Sequence, residues 1–257
     1  MKIDPDNSIG LSTQIAGAIR DAIISGDLIV DERLPSESEL AEQFDVSRPT
    51  IREALKRLAA QSLIRTQRGA FGGAFVRHLS YDEARPQLVT TSTLLLSMND
   101  VSFDTACEAR FALERACAPL SAERHDENQI AAMRAEITRQ GKADLSDEAF
   151  CASDVAFHSA LVDGTQNPVL SYQLSGAIEA MQPLMNMITF TARSRAEIIA
   201  IHTDILDALI AKDGEAIVAG LQRLEAYTKE LAQRVMEAKE ARRAAKASGE
   251  KHPEGAA

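Results

Sequence analysis

The chain has 257 residues, 45% of them hydrophobic but only 4% aromatic and none Trp, so it is long enough for two domains whose cores rest on Leu, Ile, Ala and Met. It contains no run of about 18 apolar residues, and its N-terminal MKIDPDNS has no apolar stretch; neither a membrane span nor a secretory signal is expected, and the protein is expected to be soluble and cytoplasmic. Three cysteines (Cys107, Cys117 and Cys151) lack CxxC spacing, which gives neither a disulfide framework nor a zinc motif, and each reads as a small core residue.

Taken in chain order, the first clear element begins at Pro35-Ser36. Ser36 is a good N-cap, and Glu39 three residues later completes a capping box, which predicts a helix to about Phe44 with Leu40, Ala41 and Phe44 inward. Asp45-Val46 makes a turn. Ser47 caps a second helix, with Pro49 in the first turn where its missing N–H is harmless. Ile51, Ala54, Leu55 and Leu58 fall at i, i+3, i+4 and i+7 and define the buried stripe, while Arg48, Arg52, Lys56 and Arg57 occupy the outer arc. Leu63 to Thr66 and Ala74 to Val76 read as a hairpin. Gly72 and Gly73 at its tip allow close backbone approach or positive φ, and Arg68 stands beside them.

Charge singles out this segment. From Val46 to Arg77 there are seven Arg or Lys against one acid, Glu53, in a protein of net charge −10. A basic helix alone reads as a solvated face. A capping box, turn, capped basic helix and glycine-tipped hairpin in this order instead describe a helix-turn-helix with a wing, built to enter a major groove of double-stranded DNA.

The remainder is a different molecule electrostatically. Residues 1–78 hold ten basic and eleven acidic side chains, net −1, so residues 79–257 hold eighteen and twenty-seven, net −9. The fold class that follows is mainly α: an N-terminal winged helix-turn-helix (small α/β) over 1–78, a C-terminal all-α bundle of about seven helices over 79–245, and a disordered tail over 246–257. The seven segments are predicted at about 83–98, 104–124, 126–140, 146–164, 167–190, 194–212 and 214–245, with a kink at Pro119.

Three inward positions in this bundle carry the wrong chemistry for a core. Cys151, Asp154, His158 and Leu161 share one face of the fourth segment, and Asp154 and His158, four apart, project together. Ile198, His202, Ile205, Leu206 and Leu209 form a stripe in which His202 alone is polar. Burying a carboxylate and two imidazoles requires a partner. A divalent metal (zinc, nickel, iron or manganese) supplies one, and an Asp–His hydrogen bond with His202 satisfied elsewhere is the plainer arrangement. Arg110 lies on the stripe Ala106, Arg110, Leu113, Cys117, Leu120, where its planar fork suits either a carboxylate ligand or an ion pair with Glu108 or Glu114.

These residues resemble a known family. Pro35-Ser36-Glu37, Leu40-Ala41, Val46-Ser47-Arg48, Arg52-Glu53-Ala54-Leu55 and the glycine wing are similar to the winged helix of GntR-family transcription regulators, a resemblance that reaches back to Leu11. It implies that Ser47, Arg48, Thr50 and Arg52 lie on the operator, with Arg68, Gly72 and Gly73 on the neighbouring groove. One departure is Ser38, where family members often carry a backbone-contacting Arg. Asp154-Val155-Ala156-Phe157-His158 with Asn167 beyond, and Glu108-Ala109-Arg110 with Glu114, resemble the all-helical FCD effector domain of the FadR subfamily. That resemblance implies a metal held by one Asp and three His, of which Asp154, His158 and His202 match three and Leu224 stands in the place of the fourth. It also implies a small organic or sugar acid as effector, with Arg110 and Asn167 as contacts. The expected protein is a homodimeric, ligand-responsive repressor and not an enzyme. The competing expectation is a metal enzyme, because two His and one carboxylate are also the ligand set of non-haem iron oxygenases.

Overall fold

The computed structural model describes residues 9–69, 72–99, 101–183, 185 and 194–249. The chain divides into two compact units, Met1–Ser80 and Tyr81–Ala257.

In the first unit α1 (Leu11–Ser25), α2 (Glu37–Gln43) and α3 (Arg48–Ala60) precede a hairpin of β1 (Ile64–Gln67) and β2 (Gly73–Val76). Local chemistry sets each boundary. Ser36 and Glu39 form the reciprocal capping box of α2, and Asp45 takes positive φ in the turn. The Ser47 hydroxyl then accepts from the Thr50 N–H to start α3. The strands pair antiparallel in the register Ile64↔Val76 to Gln67↔Gly73. Both α1 and α2 pack on α3, around a core of Ile15, Ile19, Leu40, Ile51, Leu58 and Val76. The expected stripe Ile51, Ala54, Leu55 and Leu58 is the buried face of α3. At the wing, a Cβ on Gly72 would lie 2.3 Å from the Gln67 carbonyl oxygen, and Gly73 has φ +150°, so both positions need glycine.

The second unit contains α4 (Tyr81–Met98), α5 (Phe103–Arg124), α6 (Glu127–Gln140), α7 (Asp147–Asp163), α8 (Pro168–Ala180), α9 (Arg195–Ile210) and α10 (Gly214–Gly249). Side-chain caps from Ser102, Asp126, Ser146, Asn167 and Ser194 start α5 to α9 in turn. Helix α7 packs against α5, α6 and α8, while α9 and α5 both meet α10, so the inward face of α7 sits in the middle of the bundle. Phe111, Met133, Phe150, Phe157, Leu161, Ile205 and Leu221 are fully buried there.

Helix α5 continues through Pro119, which has no N–H to give to the helix ladder. Several expectations are corrected. Leu113, expected inward, is 48% exposed, while Glu114 is 0% exposed. The reason is rotational: the inward face of α5 is Phe103, Cys107, Arg110, Glu114, Cys117 and Ser121, and a helix that buries 110 and 114 turns 113 to solvent. Helix α8 ends at Ala180, short of the expected 190, and 186–190 lie outside the described residues. Helix α10 continues through Gly249 into the stretch expected as a tail, of which 250–257 lie outside the described residues.

Candidate functional site

In the first unit the basic arc is solvent-facing. Arg48, Arg52, Lys56 and Arg57 are exposed on α3, and Arg68 is exposed at the wing. Ser47 and Thr50 are joined through their hydroxyls at 2.8 Å, which fixes both side chains at the N-terminal end of the helix that a groove would receive. Arg52 is held by Glu37 of α2, its Nη2 donating at 2.9 Å and its Nε at 3.4 Å to the two carboxylate oxygens. Arg65 on β1 donates to Asp31 and lies over the Phe75 ring, which pins the wing strand by its edge.

In the second unit α7 and α9 bring Asp154, His158 and His202 together, with one ligand atom of each within 4.8 Å of the others; no other such group occurs among the described residues. All three are buried. Each imidazole turns Nδ1 toward a neighbouring side chain. For His202, Nδ1 is 2.9 Å from Gln140 Oε1; for His158, Nδ1 is 2.6 Å from Glu114 Oε2. The Nε2 atoms of both rings have no hydrogen-bond partner, although His202 Nε2 stands 3.5 Å from Asp154 Oδ1, and the close approach of His158 Nδ1 to Glu114 lacks hydrogen-bond geometry. Phe157 stacks on His202 with centroids 4.0 Å apart and meets His158 edge-on, so neither ring is free to turn away. His202, hydrogen-bonded through Nδ1 with Nε2 left over, is arranged as a metal-ligating histidine is.

The charged groups around them form a closed set. Arg110, 2% exposed, donates through Nε to Glu114 at 2.7 Å, and its Nη2 is 3.7 Å from Asp154, too far for a hydrogen bond. Burial works against the charged form of each, but the facing carboxylates raise Arg110 above its ordinary value. Burial alone would raise Glu114 too; the His158 and Arg110 contacts outweigh it and bring Glu114 down to about 2. For His202 burial wins: the ring is pushed down to about 3, despite Asp154, and is neutral, as a ligand must be. A cavity of about 10 Å³ opens beside Arg110 and Asp154, walled by Leu224, Tyr227, Thr228 and Leu231 of α10. That space holds about one water molecule.

Residues 11–76 match the model of the bacterial regulatory proteins, gntR family, and residues 105–226 match the FCD domain. The chain is 31% identical over 221 residues to the Uxu operon transcriptional regulator of Escherichia coli K12, covering 82% of this chain and 83% of that protein. The chain belongs to the GntR family. The galactonate operon transcriptional repressor of the same organism is 29% identical over 196 residues, 76% of this chain and 84% of that one. A GntR structure from Streptococcus agalactiae shares the fold with TM-score 0.55 at 22% identity, over 87% of this chain and 99% of that one.

The protein is therefore a DNA-binding transcription regulator of the GntR family with an FCD effector domain, in a family of regulators rather than enzymes. GntR-family regulators bind operator DNA and typically act as dimers. Among the described residues no helix is long and apolar enough to cross a membrane.

Of the residues singled out in the sequence, Asp154, His158, His202, Arg110 and Leu224 come to one place. Leu224 is buried in the cavity wall, where it offers no ligand atom. Asn167 does not join them. Its Oδ1 accepts from the Val169 and Leu170 N–H groups at the start of α8, so its carbonyl is committed to capping. Two participants escaped sequence reasoning. Gln140 was legible in principle, because it continues the spacing Ile130, Met133, Ile137 on the inward side of α6. Glu37 was not, because its partner is fifteen residues away on another helix.

Proposed function

We propose that the protein is a homodimeric repressor whose helical unit binds a small carboxylate effector at a divalent metal held by Asp154, His158 and His202. The carrying observation is the buried cluster of Asp154, His158 and His202, whose ligand atoms lie within 4.8 Å of one another and whose two Nε2 atoms have no hydrogen-bond partner. Two such nitrogens left unpaired in an apolar core destabilise the fold by about 1–3 kcal/mol each, so a ligand that takes both lone pairs fits the donor set. Zinc, nickel, iron or manganese accepts two imidazoles and a carboxylate, and when bound provides a Lewis-acidic anchor for an anionic effector.

Charge supports an acid as that effector. Arg110, Glu114 and Asp154 sum to −1; a divalent ion makes the cluster +1, and one carboxylate restores neutrality in a site that water hardly reaches. Arg110 supplies the guanidinium beside the cavity, and Tyr227, whose hydroxyl accepts from the Ser194 N–H, and Thr228 line its α10 wall. The related galactonate repressor carries a sugar acid in its name. Because the cavity holds only about one water, a sugar acid requires it to widen. The effector thereby favours one arrangement of the helical unit over another, and differential affinity of this kind is what a switch requires.

The homodimer finds support in α4. Gln87 to Asn99 carry no charged side chain, no residue of α4 is buried, and Leu94, Leu95 and Met98 are 51%, 57% and 75% exposed. A helix that remained in water on that side would carry charge; an uncharged one suits a second copy across a two-fold axis.

The test is metal analysis of untagged protein by mass spectrometry. About one divalent ion per chain is expected for the wild type. Asp154→Asn should lower that content and weaken the response of DNA binding to sugar acids. Metal-free wild-type protein that responds fully to such an acid overturns the reading.

A further inference from the structure

The Arg52–Glu37 pair is bidentate, yet its side chains are 58% and 38% exposed, so it contributes little to stability. Its geometry has a different consequence. Guanidinium offers five N–H groups on two usable edges. Glu37 takes the side edge, receiving Nε–H at 3.4 Å on one oxygen and Nη2–H at 2.9 Å on the other. The end edge, made of Nη1 and the remaining Nη2 hydrogen, is left over. That edge has the two parallel N–H donors needed to pair with O6 and N7 of guanine in the major groove. The hydrogen bond and charge of Glu37 also raise Arg52 above its ordinary value, so the cation is never in question.

We infer that Glu37 is a specificity-determining residue: it holds the Arg52 guanidinium in the one orientation that presents its end edge to a guanine, and so sets sequence discrimination rather than general DNA affinity. This rests on the placement of α3 in the major groove. Glu37 sits at the first position of α2, Arg52 in the second turn of α3, and the two helices pack together, so the brace is anchored in the same scaffold that carries the reading helix. An unbraced Arg on an exposed helix swings among rotamers and reaches phosphates as readily as bases. Braced, it gives up that freedom before DNA arrives. Glu37 is itself an anion close to the groove and repels phosphate, which further penalises non-specific contact.

The experiment uses full-length protein and an operator recovered from a randomised duplex pool. Affinity is measured by fluorescence anisotropy for that duplex, for every single-base variant and for a random duplex, with wild type, Arg48→Ala, Arg52→Ala, Glu37→Gln and Glu37→Asp. Arg52→Ala identifies the base pair that Arg52 reads. At that pair Glu37→Gln is expected to lower discrimination about tenfold. Binding to the random duplex should be unchanged or tighter, and discrimination at positions sensitive to Arg48→Ala should stay as in wild type. Glu37→Asp keeps the charge but shortens the reach, and is expected to lose discrimination in the same way. In the Arg52→Ala background, Glu37→Gln should have no further effect at that pair.

Uniform tightening on all duplexes by Glu37→Gln makes the pair a competitor for phosphate and overturns the proposal. So does full discrimination in Glu37→Asp, which would leave charge alone as the cause, and so does equal loss at every position, which marks a damaged fold. If Arg48→Ala and Arg52→Ala both bind like wild type, the groove placement itself has failed, an outcome distinct from the failure of Glu37 alone.

Discussion

At the scale of single residues, the helical unit is organised by which side chains face the nitrogens of the two histidines. Glu114 and Gln140 occupy the Nδ1 sides of His158 and His202, and the leftover Nε2 atoms define a centre beside Asp154. The same burial that makes the centre usable makes the fold acid-sensitive. His202 takes up a proton near 6.5 when unfolded but only at about 3 when folded. Between those values the unfolded chain binds the extra proton, so stability falls as pH drops from 6.5 toward 3. Glu114, about 2 when folded against 4.5 ordinarily, adds to the loss in the lower part of that window. Urea denaturation of chelator-treated protein should therefore give a level midpoint above 6.5 and a falling one below it. His202→Gln should flatten the upper part of that fall; an undiminished slope in this variant would assign the acid sensitivity to other groups.

At the scale of elements, α3 and the wing are fixed by a few local contacts, and these were the parts most legible in the sequence. Caps at Ser36, Ser47 and Asp126 announce themselves by residue type and spacing, and the resulting helix starts match the structure. The inward faces of α7 and α9 were readable for the same reason, a polar residue breaking an apolar period. The α5 face was misjudged because Arg110, Leu113 and Glu114 are consistent with two rotations, and only the packed bundle chooses the one that buries the ion pair. Long-range pairs such as Glu37 with Arg52 leave no periodic signal at all. At the wing, Gly72→Ala places a Cβ against the Gln67 carbonyl and must shift the hairpin. It is expected to weaken operator binding severalfold while the circular dichroism of the helical unit is unchanged; unaltered affinity would remove the wing from the DNA contacts.

At the scale of the whole molecule, a local excess of cations over 46–77 sits on a chain of net charge −10. The acidic remainder repels DNA, so attraction is confined to one face of the first unit and to short range at physiological salt. One winged helix makes few contacts, and two copies on a two-fold operator raise affinity by acting together. If the uncharged face of α4 joins the copies, Leu94→Glu combined with Met98→Glu should shift the mass in solution from dimer to monomer and weaken operator binding about a hundredfold or more through lost avidity. A dimer that survives both substitutions places the interface elsewhere.

The most direct test of the central claim, that α3 reads operator DNA through its exposed arginines, is the salt dependence of binding to a selected operator by wild type and Arg48→Ala. Wild type is expected to bind the operator roughly a thousandfold more tightly than random duplex, with affinity falling steeply as salt rises. Arg48→Ala, folded and dimeric, should lose at least about tenfold on the operator and much less on random duplex. Identical operator affinities for the two proteins across the salt series would contradict the account.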